Sequence, residues 1–132
     1  ASAIKTAVEL IDNTVGAITG SGAVTIDSYT TVALTEAAGA DNGIIAAPGA
    51  NKQIWVYGIA FTTDVAGTVS FQDEDNTAVS GVMTIDAKGG MVSAPCGNFA
   101  MPIWKLVTNK ALEVDLVTCA IAGWITYAIV SV

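Results

Sequence analysis

The chain contains no histidine and no arginine. Histidine is the commonest general base near neutral pH and the commonest zinc ligand, so its absence excludes the usual forms of both chemistries. Arginine provides the forked donors that grip phosphate groups, and here five lysines stand against twelve acidic residues, for a net charge of −7. We therefore expect neither nucleic-acid binding nor polybasic attachment to a membrane surface.

Cysteine is scarce as well, with Cys96 and Cys119 alone. Two cysteines are too few for a disulfide scaffold, and we interpret them as buried thiols, with a pairing left open. The N-terminus has no basic stretch followed by an apolar run, so no signal peptide is expected. Residues 116–132 are uncharged, but β-branched and aromatic residues dominate them and Gly123 interrupts them, which favours strands over a membrane helix.

Charge is sparse overall: charged residues make up 13% of the chain, about half the roughly 25% of an ordinary soluble domain, while 52% of residues are hydrophobic. Threonine and serine can hydrate some of the surface without charge. Even so, the combination favours a protein that holds much of its surface against other copies or other proteins.

Catalytic and metal-binding patterns are not evident. No spacing singles out a nucleophile with its base or a pair of carboxylates, so we expect no enzyme and no cofactor. The acidic run at 73–75 could gather Ca²⁺, but the EF-hand spacing is missing and a solvated hairpin tip is the favoured interpretation. Residues 88–90, Lys-Gly-Gly, lack the order of a phosphate-binding loop and predict a turn.

What the chain has in abundance is β-forming residues. Val, Ile and Thr make up 43 of its 132 residues, and their branched Cβ atoms favour the pleated sheet. Seven to nine short stretches of this kind alternate with turn signals every eight to twelve residues. This predicts an all-β protein, an antiparallel β-sandwich with the jelly roll as the preferred topology. Residues 1–22 are expected to form an N-terminal arm and residues 23–132 the sandwich domain.

Two predicted strands are apolar on both faces. Strict alternation over residues 53–63 places Ile54 and Val56 with Gly58 and Ala60 on one face, and the larger Trp55, Tyr57, Ile59 and Phe61 on the other. Residues 123–132 behave similarly, whereas 68–72 and 111–118 have one apolar face each. We hypothesise that five aromatic residues of the two-faced strands serve as core and intersubunit anchors; the alternative is that all five are ordinary core. They are Trp55, Tyr57, Phe61, Trp124 and Tyr127.

From residue 51 to the C-terminus, predicted strands and turns alternate in a regular order. It includes the run KQIWVYGIAF at 52–61, the Ala-Gly turn at 66–67, Lys-Gly-Gly-Met-Val at 88–92, Pro-Ile-Trp at 102–104 and Ala-Gly-Trp-Ile-Thr-Tyr at 122–127. In these features, about three-fifths of the chain resembles the small jelly-roll head-decoration, or cement, proteins of tailed bacteriophages. Residues 1–50 have no counterpart in the resemblance.

The resemblance implies a structural role. Its members form homotrimers at threefold or quasi-threefold positions on the outer face of a capsid, where they bind the major capsid protein and tie neighbouring capsomers together. It implies a protein made in the host cytoplasm and located on the virion, with no catalytic residue and no cofactor.

Two other functions share this composition. A carbohydrate-binding module is also an aromatic-bearing β-sandwich, in which an exposed Trp55, Trp104 or Trp124 would stack on sugar rings. A phage tail or fibre subunit would share the apolar composition and the tendency to oligomerise.

Overall fold

The computed structural model describes residues 25–93 and 99–132, so the arm predicted for 1–22 and Cys96 lie outside the described residues. All the regular secondary structure of the described residues is β-strand. The described residues contain no helix that is long and apolar enough to span a membrane. The nine strands are β1 (Thr25–Glu36), β2 (Gly39–Ile45), β3 (Lys52–Thr63), β4 (Gly67–Asp73), β5 (Met83–Ile85), β6 (Gly90–Ser93), β7 (Trp104–Lys105), β8 (Leu112–Val117) and β9 (Ile121–Ser131).

The strands form two antiparallel sheets. Sheet A has the order β1-β9-β3-β6, and the short β7 also pairs with β3; sheet B has the order β2-β8-β4-β5. Four of the strand pairs are nested, meaning that each pair lies between the two strands of the previous pair along the chain. These pairs are β1 with β9, β2 with β8, β3 with β6 and β4 with β5. The predicted all-β antiparallel sandwich is confirmed.

The main core lies between the two sheets. The one-sided strands of sheet B point their apolar residues inward as predicted: Leu112, Val114 and Leu116 are buried in β8, and Val69 and Phe71 in β4. Sheet A meets them with residues from its three longest strands. Those residues are Leu34 of β1, Ile54, Val56, Ile59 and Phe61 of β3, and Ile121 and Ile125 of β9.

The prediction of strict alternation along β3 is wrong beyond Val56. The register with β9 shifts between Val56 and Gly58, so the strand changes parity there. Ile54 and Val56 face the core before the shift, and Ile59 and Phe61 face it afterwards. A β-bulge has this effect because it inserts one residue into one strand of a pair, and glycine inside a strand often marks such a site.

Strand β2 begins with residues 39–43, Gly-Ala-Asp-Asn-Gly, a run that favours a turn and here belongs to the strand. Its pairing with β8 is irregular, with two register shifts. Asp41 has a left-handed backbone, at φ 56°. Turn-forming residues can therefore lie in this strand because it is at the edge of its sheet and its pairing tolerates bulges.

Gly123 of β9 allows a close approach between the two central strands of sheet A. It pairs with Phe61 of β3, and a Cβ atom built on it would lie 1.8 Å from the carbonyl oxygen of Ala60. Main-chain atoms cannot move aside as a flexible side chain can. The β3–β9 pairing therefore depends on the absence of a side chain at this position.

We predict that Gly123→Ala lowers the free energy of unfolding by about 2–3 kcal/mol, because the added methyl group forces the two strands apart. The measurement is equilibrium denaturation in urea. Gly43→Ala is the matched control, since nothing lies within 4 Å of a Cβ at that strand position, and it is expected to change stability by less than about 0.5 kcal/mol. Equal effects of the two variants would contradict this account of Gly123.

Candidate interaction face

The outer face of sheet A, which points away from the core, carries a row of uncharged residues across four strands. Ala33 of β1 pairs with Trp124 of β9, Trp124 with Ala60 of β3, and Ala60 with Val92 of β6. Directly paired residues point to the same side of a sheet, so all four side chains share this face. Trp124 is 37% exposed and Val92 is 77% exposed.

Two flanking rows extend the surface with threonine, alanine and glycine. Thr31 pairs with Thr126, and their hydroxyl oxygens are 2.6 Å apart; Thr126 in turn pairs with Gly58. On the other side of the central row, Thr35 and Thr62 both pair with Ala122. We call this surface the neutral face, because none of its residues carries a charge. It comprises Thr31, Ala33, Thr35, Gly58, Ala60, Thr62, Gly90, Val92, Ala122, Trp124 and Thr126.

The outer face of sheet B has the opposite character. Asp41 Oδ1 accepts a hydrogen bond from the side-chain amide of Gln72 at 3.0 Å, and the backbone N–H of Asp41 donates to Asp115 at 2.7 Å. Glu113 lies beside Gln72 in the pairing of β8 with β4. We call this surface, made of Asp41, Glu74, Glu113 and Asp115 around Gln72, the acidic face.

The acids of this face repel one another. Burial raises the pKa of Glu113 above its ordinary value, and the nearby carboxylates of Asp41, Glu74 and Asp115 raise it further, against a hydrogen bond from Gln72 that lowers it. A raised pKa means that the ionised carboxylate destabilises the folded state. The neutral face and the acidic face thus differ sharply in charge.

Two of the five aromatic residues singled out in the sequence lie on the outer side of sheet A, at the end away from Trp124. Trp55 and Tyr57 are buried and form a small cluster with Ala128 and Val130. The indole N–H of Trp55 donates to Gln53 at 2.8 Å, and Lys105 Nζ lies 4.3 Å from the centre of a Trp55 ring. The Tyr57 hydroxyl donates to the carbonyl of Phe99 at 2.5 Å, and the two rings meet edge to face.

The other three aromatic residues are divided between the two sides of sheet A. Phe61 is buried in the main core, where its ring contacts that of Phe71, and Tyr127 is half-buried against the same core. Trp124 alone of the five is more than one-third exposed. Trp104, which was considered as a sugar platform, instead packs on Phe71 with ring centres 5.0 Å apart.

A shallow pocket of about 400 Å³ opens at one end of the neutral face, and Thr35, Thr62 and Ala122 contribute to its wall. Glu36 and Asp64 bring acidic side chains to it. The N–H of Ala120 donates to Asp64 at 2.7 Å, and this hydrogen bond holds the pKa of Asp64 below its ordinary value. That carboxylate therefore fixes the loop before β9 in place.

The three carboxylates of the acidic turn at 73–75 each have their own partners and do not converge on one point. Asp73 accepts the N–H groups of Asp75 and Thr77, Glu74 accepts that of Ala111, and Asp75 forms an ion pair with Lys110 at 2.7 Å. In the part of the chain that the structure describes, no group of three or more acidic, cysteine or histidine side chains is placed to hold a metal ion.

The second cysteine, Cys119, is a buried free thiol in the main core. Its sulfur lies 3.7 Å from the carbonyl oxygen of Thr68.

Comparison of the chain with protein-family models, curated proteins and solved structures finds no match.

We predict that Glu113→Gln raises the free energy of unfolding at pH 7 by about 0.5 kcal/mol, since it removes a carboxylate whose ionisation opposes folding. The gain is present at pH values above the raised pKa of Glu113. It disappears below the ordinary value of 4.5, where Glu113 is protonated in both the folded and unfolded states. Urea denaturation at pH 3 and pH 7 measures the difference.

Glu36→Gln is the matched control, because it changes the net charge equally but lies in sheet A. A gain at pH 7 as large as that of Glu113→Gln would attribute the effect to net charge and not to the acidic face.

Proposed function

We propose that the protein is a structural subunit of a bacteriophage particle, a decoration or cement protein that binds the major capsid protein on the outer surface of the capsid as a homotrimer and stabilises the shell. The observation that carries this proposal is the contrast between the neutral face and the acidic face. A surface that will be dehydrated must avoid unpaired charge, since removing an isolated charge from water costs several kcal/mol. A surface that stays in water has no such restriction.

The topology supports the same proposal. If the short β7 is left out, the strands pair as in one long antiparallel hairpin that is wound into two sheets. The pairs, from the open end of the hairpin to its turn, are β1–β9, β2–β8, β3–β6 and β4–β5. A hairpin wound in this way is a jelly roll, and we propose this topology for the sandwich. The decoration proteins that the sequence resembles have the same topology. Such a scaffold presents its outer faces rigidly because both sheets are fixed by a common core.

The neutral face is small, and this fits a subunit that acts in multiples. Three rows of residues on four strands, at about 7 Å between rows and about 4.8 Å between strands, cover roughly 300–400 Å². A stable interface between two proteins buries about 800 Å² on each side. One copy of this face would therefore bind weakly, whereas a trimer that engages three equivalent sites gains from linkage.

One second function has a specific observation in its favour. Trp124 is exposed in the central row of the neutral face, and the flanking rows carry threonines, so a carbohydrate-binding module could use it to stack on a sugar ring. The burial of Trp55 and the core packing of Trp104 remove the other two proposed platforms. A phage tail or fibre subunit would use the same neutral face against a different partner.

The proposal predicts that purified protein attaches stoichiometrically to phage particles that lack it and raises their resistance to heat. Val92→Lys is expected to weaken attachment at least about 100-fold, because it places a lysine on each of three linked contacts. Cosedimentation over a range of protein concentrations measures the affinity.

Val117→Lys is the matched control, since Val117 is 61% exposed and points outward from sheet B. It is expected to change the affinity less than about threefold, because its surface stays hydrated. Absence of attachment, or a loss caused by Val117→Lys and not by Val92→Lys, would reject the proposal. Electron microscopy that locates the protein on the tail would select the fibre subunit. Millimolar or tighter glycan binding by a monomer, abolished by Trp124→Ala, would select the carbohydrate module.

A further inference from the structure

The sandwich has four edges, where a strand has a neighbour on one side only. In the described residues, three of these edges are short or irregular. Sheet A ends on one side in β6 and β7, of four and two residues, and sheet B ends in β5, of three residues, and in β2, whose register shifts twice. Short strands and bulges are the usual devices that prevent edge strands from pairing with other chains.

Strand β1 is different. It has twelve residues, pairs with β9 along its whole length, and contains neither lysine nor proline. After one register shift near its start, nine consecutive residues from Ser28 to Glu36 pair without interruption. Between Ser28 and Thr35 there is no charged residue. In an antiparallel pair, every second residue of a strand points its main-chain N–H and C=O groups away from the neighbouring strand. Strand β1 therefore presents a regular row of these groups at the edge of sheet A.

The partner that fits this edge is another extended strand, and a second copy of the chain offers one. β1 itself is the only long regular edge among the described strands, so antiparallel pairing of β1 with β1 covers both exposed edges in one contact. Such a contact is isologous and closes after two copies. Pairing of β1 with β6 of another copy would cover only four residues of its twelve.

The register of this pairing follows from the side-chain directions. A twofold axis perpendicular to the sheet keeps the neutral faces of the two copies on the same side, so the axis must lie midway between one residue and its own counterpart in the other copy. The uninterrupted stretch overlaps completely when that residue is Val32, the middle of the nine. Thr31 then lies opposite Ala33 of the other copy, and Glu36 lies opposite Ser28 and not opposite its own counterpart.

We propose that β1 is a self-association edge, at which two copies of this chain pair antiparallel about Val32 and join their A sheets into one continuous sheet. The two neutral faces then become a single uncharged surface of twice the area. The contact is twofold, so it is separate from the threefold assembly proposed above and would link copies that belong to different trimers. It does not depend on which particle or ligand the neutral face binds.

The test is directed disulfide formation in the whole chain of 132 residues, on a Cys96→Ser background, which leaves only the buried Cys119 beside the introduced thiol. Chains carrying Thr31→Cys and chains carrying Ala33→Cys are co-expressed and purified under mild oxidation. Covalent dimers, counted on a denaturing gel, are expected to be at least about fivefold more abundant than in either variant expressed alone, because the two positions lie opposite each other at a distance that suits a disulfide. Val92→Cys, on the other edge of the same sheet, replaces Thr31→Cys in the control co-expression and is expected to give no such increase.

A second measurement does not need the Thr31→Cys variant and so tests the proposal even if that variant fails to fold. In the proposed register the two Ala33 positions lie diagonally across the pair, about 7–8 Å apart, so a bismaleimide of about 8 Å should join two Ala33→Cys chains. No crosslinking by either route would overturn the self-association edge, as would crosslinks that form only between Ala33→Cys and Val92→Cys chains, which would place β1 against β6. Particle attachment tests the neutral face separately, so the failure of one proposal is distinguishable from that of the other.

Discussion

The register shift between Val56 and Gly58 is the constraint on which the rest of sheet A depends. Strand β3 lies inside the sheet and must present apolar side chains to the core along its whole length. The shift achieves this by changing the parity of the strand, so that Val56 and Ile59, three residues apart, both face inward. On the outer side, the large ring of Trp55 lies before the shift, that of Tyr57 lies within it, and the small residues Gly58, Ala60 and Thr62 lie after it. The irregularity that completes the core therefore also divides the outer side into a covered end and the neutral face.

The sequence could predict those elements whose signal is local. The alternation of Leu112, Val114 and Leu116 with two acidic residues requires one buried face and one hydrated face, and that is how β8 lies in sheet B. The all-β class follows in the same way from the β-branched composition. The prediction of alternating faces along β3 failed at the midpoint of the strand, because a strict period of two does not allow for the extra residue of a β-bulge. The glycine at position 58 was the signal of that bulge, since glycine inside an apolar strand often marks one.

The candidate site was much less accessible to sequence reasoning. Of the aromatic residues that were singled out, only Trp124 lies on the neutral face and remains exposed. Its neighbours Ala33, Ala60 and Val92 are small or ordinary residues from three other strands, separated by about thirty residues each along the chain. Only the pairing of β1, β9, β3 and β6 brings them into one row. No spacing within a single strand contains that information, because the row runs across the strands.

The distribution of charge supports the proposal that the neutral face is a binding surface and not a by-product of composition. Seventeen charged residues are few for a chain of this length, and an isolated sandwich would lower its electrostatic energy by spreading its twelve acids over both faces. Four of them are instead gathered around Gln72, where burial raises the pKa of Glu113 and the carboxylates of its neighbours raise it further. This clustering costs little on a hydrated surface, because exposed charges interact with one another by only a few tenths of a kcal/mol. One unpaired charge on a dehydrated surface, by contrast, costs several kcal/mol. The arrangement is therefore favourable for a protein whose A sheet is covered by a partner and whose B sheet stays in water.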